Sequence, residues 1–181
     1  KGLILAYSSV LEPFDHQSTS PDVGRAIACY REHAAGYDAS ARRTMPIRLR
    51  TVEKLGLQPG DRVLDVACGT GLSLGLLHAA VGESGEIVGI EVSPEMLQQA
   101  RARVATAGWS NVTLIEAAVE DVAPMPAYDA VLFHFTHDVL RSPVALQKIF
   151  AAARGQARVA FAGMKYAPWW MAPAYILVRA K

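Results

Sequence analysis

The stretch that most constrains this chain runs from Arg62 to Leu72, RVLDVACGTGL. Val63, Leu64, Val66 and Ala67 form a short apolar run of the kind shown by a strand buried on both faces, as in a parallel sheet. Asp65 interrupts it, and a carboxyl group in a buried strand is costly unless something binds it. Gly69-Thr70-Gly71 follows at once, before the apolar positions Leu72, Leu74, Leu76 and Leu77, so the chain is expected to turn tightly from strand into helix. Both glycines then leave room for a ligand against bare backbone. Twenty residues beyond Gly71, the run EIVGIEV puts Glu91 near the end of a second strand. A carboxylate there can accept hydrogen bonds from both hydroxyls of a ribose, so a nucleoside cofactor is expected.

The turn narrows the choice of nucleoside. A dinucleotide fingerprint, G-x-G-x-x-G, requires a third glycine where this chain has Leu74. The spacing D-x-x-x-G-x-G instead resembles motif I of the class I S-adenosylmethionine-dependent methyltransferases, and the resemblance extends from about Val63 to Gly163. It implies an α/β fold, Rossmann-like and doubly wound, with a mostly parallel sheet and helices on both faces. It also implies S-adenosylmethionine as cofactor. By that resemblance Gly69, Thr70 and Gly71, beside Ala67, accommodate the methionine half. Asp65 positions it through water or its amino group, and Glu91 holds the ribose, flanked by Val92 and Met96.

At 181 residues and 51% hydrophobic content the chain can bury one sizeable core. A net charge of +1 supplies no general reason to bind nucleic acid. The densest basic stretch, Arg42, Arg43, Arg48 and Arg50, is spaced like a solvated helix face. No apolar run reaches the roughly 18 residues that span a bilayer, and no signal peptide is visible. The two cysteines, Cys29 and Cys68, make neither a disulfide framework nor a metal-ligand spacing, so a cytoplasmic protein is expected.

Along the chain, residues 1–20 read as an extension or tag-like segment and 21–58 as a helical lid, with helices from Val23 to about His33 and from Ser40 to Leu55. Residues 59–181 read as the cofactor-binding domain. After the glycine turn come a helix to about Val81 and a strand Glu86 to Val92. Ser93-Pro94 then signals the start of a helix to about Ala107, and a strand follows from Val112 to Ala117. This β-α-β-α-β order argues for a parallel sheet with ligands at the carboxyl ends of its strands. A helix from Pro143 to about Ala153 and a fifth strand Ala157 to Gly163 follow, with Arg154-Gly155-Gln156 replacing the family's usual P-G-G turn.

In the family an acid after the third strand receives the adenine amino group. Here that position falls on Ala118, which leaves adenine to the backbone near Val119, or to Glu120 on a shifted register. Tyr128-Asp129 resembles the pair that enters the fourth strand, and HFTHDVL hangs from its end. That places His134, Phe135, His137 and Asp138 where a substrate meets the transferable methyl group. An imidazole titrates near neutrality and can serve as a base for a weak nucleophile, so His137 and His134 are the catalytic candidates, with His134 alternatively packing beside the cofactor. Nothing here matches the N-P-P-Y-like tetrad of enzymes that methylate base amines. Tyr37, in an early Tyr-Asp pair, and Tyr166 and Trp169 are candidates for the substrate wall.

Three functions fit to differing degrees. The first is a small-molecule methyltransferase, similar in motif order to the enzymes of quinone biosynthesis. The second is a non-catalytic S-adenosylmethionine-binding protein, and the third a nicotinamide oxidoreductase. Only eighteen residues follow Gly163. The antiparallel hairpin that usually closes the family's sheet is therefore expected to be missing, and the domain reads as C-terminally truncated. Gly2 to Val10 is expected to add to the open edge, from the same chain or from a second copy in a homodimer.

Overall fold

The computed structural model describes residues 38–39, 41–123 and 125–163. The expectations for Gly2 to Val10, for Tyr37, and for Tyr166 and Trp169 lie outside the described residues. Helix α1, Met45–Leu55, is preceded by a 3-10 turn at Arg42–Thr44 and ends at Gly56, whose φ of 62° is the left-handed stop that glycine provides cheaply. Strand β1, Arg62–Val66, leads through the glycine turn into α2, Leu74–Val81. Then come β2, Glu86–Glu91, and α3, Pro94–Ala107. The Ser93 hydroxyl accepts the Met96 N–H at 3.3 Å, the cap that the Ser-Pro pair signals. Strand β3, Val112–Glu116, a 3-10 turn at Val119–Asp121, and β4, Tyr128–His134, follow. A 3-10 turn at Val139–Arg141, α4, Pro143–Ala151, and β5, Ala153–Ala162, complete the described chain.

The five strands form one sheet in the order β3-β2-β1-β4-β5. Every pair is parallel, and Val66 lies opposite both Ile90 and Phe133, so the carboxyl ends of the three central strands align. The apolar run that marks β1 is buried on both faces. Val63 joins Val52, Leu55, Leu77, Leu97 and Leu132 in a core beneath α1, α2 and α3, while Leu64 and Val66 join Phe133, Ala145 and Ile149 in a core beneath α4. Among the described residues no helix is long and apolar enough to cross a membrane.

The start of the fifth strand differs from the sequence reading. β5 begins at Ala153 rather than Ala157, because the Tyr128 N–H already donates to the Ala152 carbonyl and pairing starts as soon as α4 ends. The register then steps from Tyr128 opposite Ala153 to Ala130 opposite Arg158, and Arg154-Gly155-Gln156 occupies this irregularity.

The basic stretch is also corrected. Arg42, Arg43 and Arg50 are exposed as expected, but Arg48 is buried. It shares the inner face of α1 with Thr51, Val52 and Leu55 at helical spacing.

The glycines of the turn divide their work. At Gly71, with φ of 79°, a Cβ would lie 2.7 Å from a Leu74 methyl and 3.2 Å from the Ala100 Cβ, so its hydrogen side chain lets α3 pack against the turn. At Gly69, with φ of 60°, a Cβ would meet nothing within 4 Å. Gly71 is therefore a packing residue and Gly69 the open one. Gly71→Val is expected to lower folding stability by about 2–5 kcal/mol, through backbone strain plus overpacking, and Gly69→Ala by about 1–2 kcal/mol through strain alone. Denaturant unfolding of the two variants checks this ranking; a Gly71→Val protein as stable as the parent would refute it.

Candidate active site

Chain direction reverses between β1 and β4. From β1 the chain crosses to β2 and β3 on one side, and from β4 to β5 on the other, which opens a crevice at the carboxyl ends of the two central strands. The residue following β1, Ala67, has φ of 51°, and that following β4, Phe135, has φ of 61°. These are the described non-glycine residues with positive φ, and each costs energy that the surrounding bonds must offset. The Phe135 N–H donates to the Ala162 carbonyl at 2.7 Å, which fixes the second of these corners.

Glu91 ties the crevice together. One carboxylate oxygen accepts the Gly69 N–H at 2.9 Å and the other accepts the Ser93 N–H at 2.8 Å. Burial raises the Glu91 pKa, while the Ser93 and Gly69 N–H groups oppose that rise. The carboxylate thus holds the turn after β1 and the helix start after β2 at one point. Each oxygen keeps a second lone pair for a ligand hydroxyl.

Asp65 lies deeper, 1% exposed, and its Oδ2 has no hydrogen-bond partner among the described residues. Burial pushes its pKa up to about 7, with Arg48 pulling it down and Glu91 adding to the rise. An unpaired buried carboxyl oxygen of this kind suits a cationic donor on a ligand.

A polar chain crosses the roof of the crevice. Arg48 donates from Nη1 to the Ser73 hydroxyl at 2.8 Å, and Ser73 Oγ lies 2.8 Å from His134 Nδ1. The guanidinium also sits over the Phe135 ring, 5.0 Å from its centre. His134, the last residue of β4, is buried, and its Nε2 meets no partner among the described residues. Burial first, and then the Arg48 charge, lower the His134 pKa to about 3, so the ring is neutral at physiological pH.

A second bridge enters from before α1. Asp38 accepts a hydrogen bond from the Thr70 hydroxyl at 2.6 Å and pairs with Arg103 of α3 at 2.5 Å. Arg103 Nε in turn donates to the Thr70 carbonyl at 3.1 Å.

Most of the remaining candidates line the same edge. Val92 is half-buried and Met96 buried, directly after β2. Ala118 is half-buried, and the Val119 side chain belongs to the core under α4. Glu120 accepts the Ser142 hydroxyl proton, and Lys148 donates to its carbonyl, so this acid is tied to α4. His137 is exposed, and its ring packs on Gly163, where a Cβ would lie 2.8 Å from Cε1. Among the described residues no group of His, Cys, Asp and Glu is arranged to hold a metal ion.

The sequence reading did not select Arg48, Ser73, Asp38 or Arg103 as site residues. The spacing of 48, 51, 52 and 55 marks an inward face of α1 and could have found Arg48. The partners of Asp38 lie 32 and 65 positions away, and no local pattern carries them.

A parallel α/β sheet with a glycine turn and two acids at its switch point defines a nucleoside-cofactor-binding protein. Residues 63–156 match the family profile of the methyltransferase domain, so the chain belongs to the S-adenosylmethionine-dependent methyltransferases of class I. The demethylmenaquinone methyltransferase of Geobacillus kaustophilus is 33% identical over 126 residues, which cover 66% of this chain and 53% of that protein. The protein-L-isoaspartate O-methyltransferase of Fervidobacterium nodosum is 40% identical over 76 residues, covering 40% of this chain and 38% of that protein. A solved S-adenosylmethionine-dependent methyltransferase from Aquifex aeolicus superposes with a TM-score of 0.57 at 26% identity, over 71% of this chain and 76% of the other. The chain thus spans about half or less of the length of these two curated relatives.

S-Adenosylmethionine is the cofactor of this family, and the residues present fit it. Asp65 offers an unpaired carboxyl oxygen to an ammonium group, Gly69 leaves open space, and Glu91 stands at the end of β2. Leu74, fully buried, fills the place where a dinucleotide fold needs its third glycine.

Two predictions follow from these carboxyl groups. Glu91→Ala leaves the Gly69 and Ser93 N–H groups unpaired, so both cofactor affinity and folding stability are expected to fall, the latter by about 1–3 kcal/mol. Calorimetric titration and thermal unfolding read the two losses, and an unchanged melting temperature would show that the bridge is not structural. Asp65 has a folded pKa of about 7, above its ordinary value of 3.8, so its stabilising contribution is present at low pH and is lost as pH rises towards 7. The melting-temperature difference between Asp65→Asn and the parent should therefore grow in favour of the variant from about pH 4 to about pH 7 and then level off. A pH-independent difference would contradict the assignment.

Proposed function

We propose that this chain catalyses methyl transfer from S-adenosylmethionine to a small-molecule acceptor. The observation that carries this reading is the switch-point crevice, where Asp65, Gly69 and Glu91 come together beside the carboxyl end of β4. The similarity to a demethylmenaquinone methyltransferase extends over 66% of this chain, against 40% and 54% for two isoaspartate methyltransferases, and supports a small acceptor.

When bound, the cofactor supplies an electrophilic methyl group on a sulfonium centre. The chain's own part is to bind and orient. In this reading Asp65 receives the amino group, Glu91 accepts the ribose hydroxyls beside its two backbone bonds, and the backbone at Ala118 and Val119 faces the base. The neighbouring ammonium charge then lowers the Asp65 pKa, so that binding near pH 7 releases carboxyl proton to solvent. His137, the exposed imidazole at the end of β4, is the base that takes the acceptor's proton. On the α1 side the Arg48 guanidinium lies over the Phe135 ring, at the strained corner that follows β4.

The test is S-adenosylhomocysteine release over a panel of phenols, quinones, amines and an isoaspartyl peptide. Release with a ring-type acceptor supports the proposal, and release with the peptide alone moves the acceptor to proteins. Binding without any release favours the non-catalytic alternative. With an active acceptor, His137→Ala is expected to lower turnover about 10²- to 10⁴-fold while cofactor affinity changes little. Equal turnover in that variant would remove His137 from the chemistry.

A further inference from the structure

The polar chain from Arg48 to His134 ends on a buried nitrogen with nothing to bond. Its direction can be worked out from the donors. A guanidinium only donates, so Ser73 Oγ is the acceptor of the Arg48 bond at 2.8 Å. The hydroxyl then has its own proton to place, in a position 1% exposed. Among the described residues its remaining side-chain partner is His134 Nδ1, also at 2.8 Å. Ser73 therefore donates to Nδ1, which must be unprotonated, and the one proton of the neutral ring resides on Nε2. That N–H is buried and has no acceptor among the described residues. A buried unpaired donor is costly, and a group kept in that state at the switch point of an α/β sheet has a ligand atom as its natural partner.

We infer that Arg48, acting through Ser73, fixes His134 as a neutral ring with its proton on Nε2, which makes it a hydrogen-bond donor to an anionic or carbonyl oxygen of a bound ligand and takes it out of proton transfer. The inference rests on the methyltransferase reading for the ligand's identity but not for the tautomer. Arg48 is a positioning residue in this scheme. Its charge, beside Ser73, polarises the hydroxyl towards the imidazole and disfavours a second ring proton, and burial acts in the same direction. A carboxylate on the amino-acid part of the cofactor and an oxygen on the acceptor share the required chemistry.

The experiment is a long-range proton–nitrogen correlation spectrum of the ¹⁵N-labelled full chain, with the His134 signals assigned by their loss in His134→Gln. The expected pattern is a protonated Nε2 and a bare Nδ1, unchanged between pH 5 and pH 8. In Ser73→Ala that pattern should become a tautomer mixture or begin to titrate, and Arg48→Met should show the same tendency. A proton on Nδ1 in the parent chain, or a ring that titrates near its ordinary pKa, would overturn the inference, whether or not the protein transfers methyl groups.

Ligand arms then identify the oxygen. An Nε2 shift with S-adenosylhomocysteine but not with 5′-methylthioadenosine, which lacks the amino-acid part, assigns the cofactor carboxylate. A shift only when a phenol is added to the S-adenosylhomocysteine complex assigns the acceptor. No shift with any of the three overturns the donor role. His134→Leu should weaken the responsive ligand about 10- to 100-fold, while His134→Gln, which keeps an N–H donor, should lose less than tenfold. Equal losses in the two variants would count against it.

Discussion

One carboxylate holds the functional edge of this protein together. Glu91 ends β2, yet its two oxygens reach the turn after β1 and the first turn of α3. Both contacts are to backbone N–H groups at starts of helical segments or tight turns, which have no partner within their own element. The carboxylate adds to the ties that already hold this edge, the Cys68 N–H bond to the Ile90 carbonyl at 2.9 Å and the Arg103 bond to the Thr70 carbonyl at 3.1 Å. With it, Gly69, Ser93 and Glu91 form a small rigid unit at the point where the sheet changes direction. The group proposed to hold the ribose is therefore also a structural one.

The interior around this unit departs from the usual separation of apolar inside and polar outside. Arg48, Asp65, Ser73, Glu91 and His134 are all buried at one end of the sheet. Their costs are unequally offset. Arg48, Ser73 and Glu91 have named partners, whereas Asp65 Oδ2, His134 Nε2 and the Thr136 hydroxyl are left without one among the described residues. Such unsatisfied groups are expected where a binding site overrides the rules that govern the rest of the core. At the other end of the same strands Val63, Ile87 and Ala130 are fully buried and apolar.

How much of this was legible depended on the range over which each cause acts. The strand, turn and helix from Arg62 to Val81, the Ser93 cap and the alternation of strands and helices are set by neighbours within a few residues, and the sequence shows them directly. The placement of Asp65, Gly69 and Glu91 on one edge follows from that alternation, since parallel strands end together. The role of Gly71 was not legible, because the obstacle to a side chain is Ala100 on another helix. Arg48 was misread for a related reason. Its charge argued for solvent, and only the packing of α1 over β4 and β5 brings it to Ser73 and His134. The early start of β5 likewise depends on the carbonyl of Ala152 meeting a strand laid down earlier in the chain.

The bridge made by Asp38 has a consequence for how this site relates to its surroundings. Thr70, in the middle of the glycine turn, is held from one side by the sheet's own loop and from the other by an acid that precedes α1, and the Asp38 and Arg103 side chains are each about a third exposed. A contact of that kind is sensitive to dissolved ions, while the apolar packing beneath it is not. The segment before α1 and the turn that faces the ligand are thus joined by a screwable rather than a welded joint. Ionic strength can loosen or tighten the turn with the sheet unaltered, and substitutions at Asp38 or Arg103 offer a route to changing the grip on the ligand without altering any group that touches it.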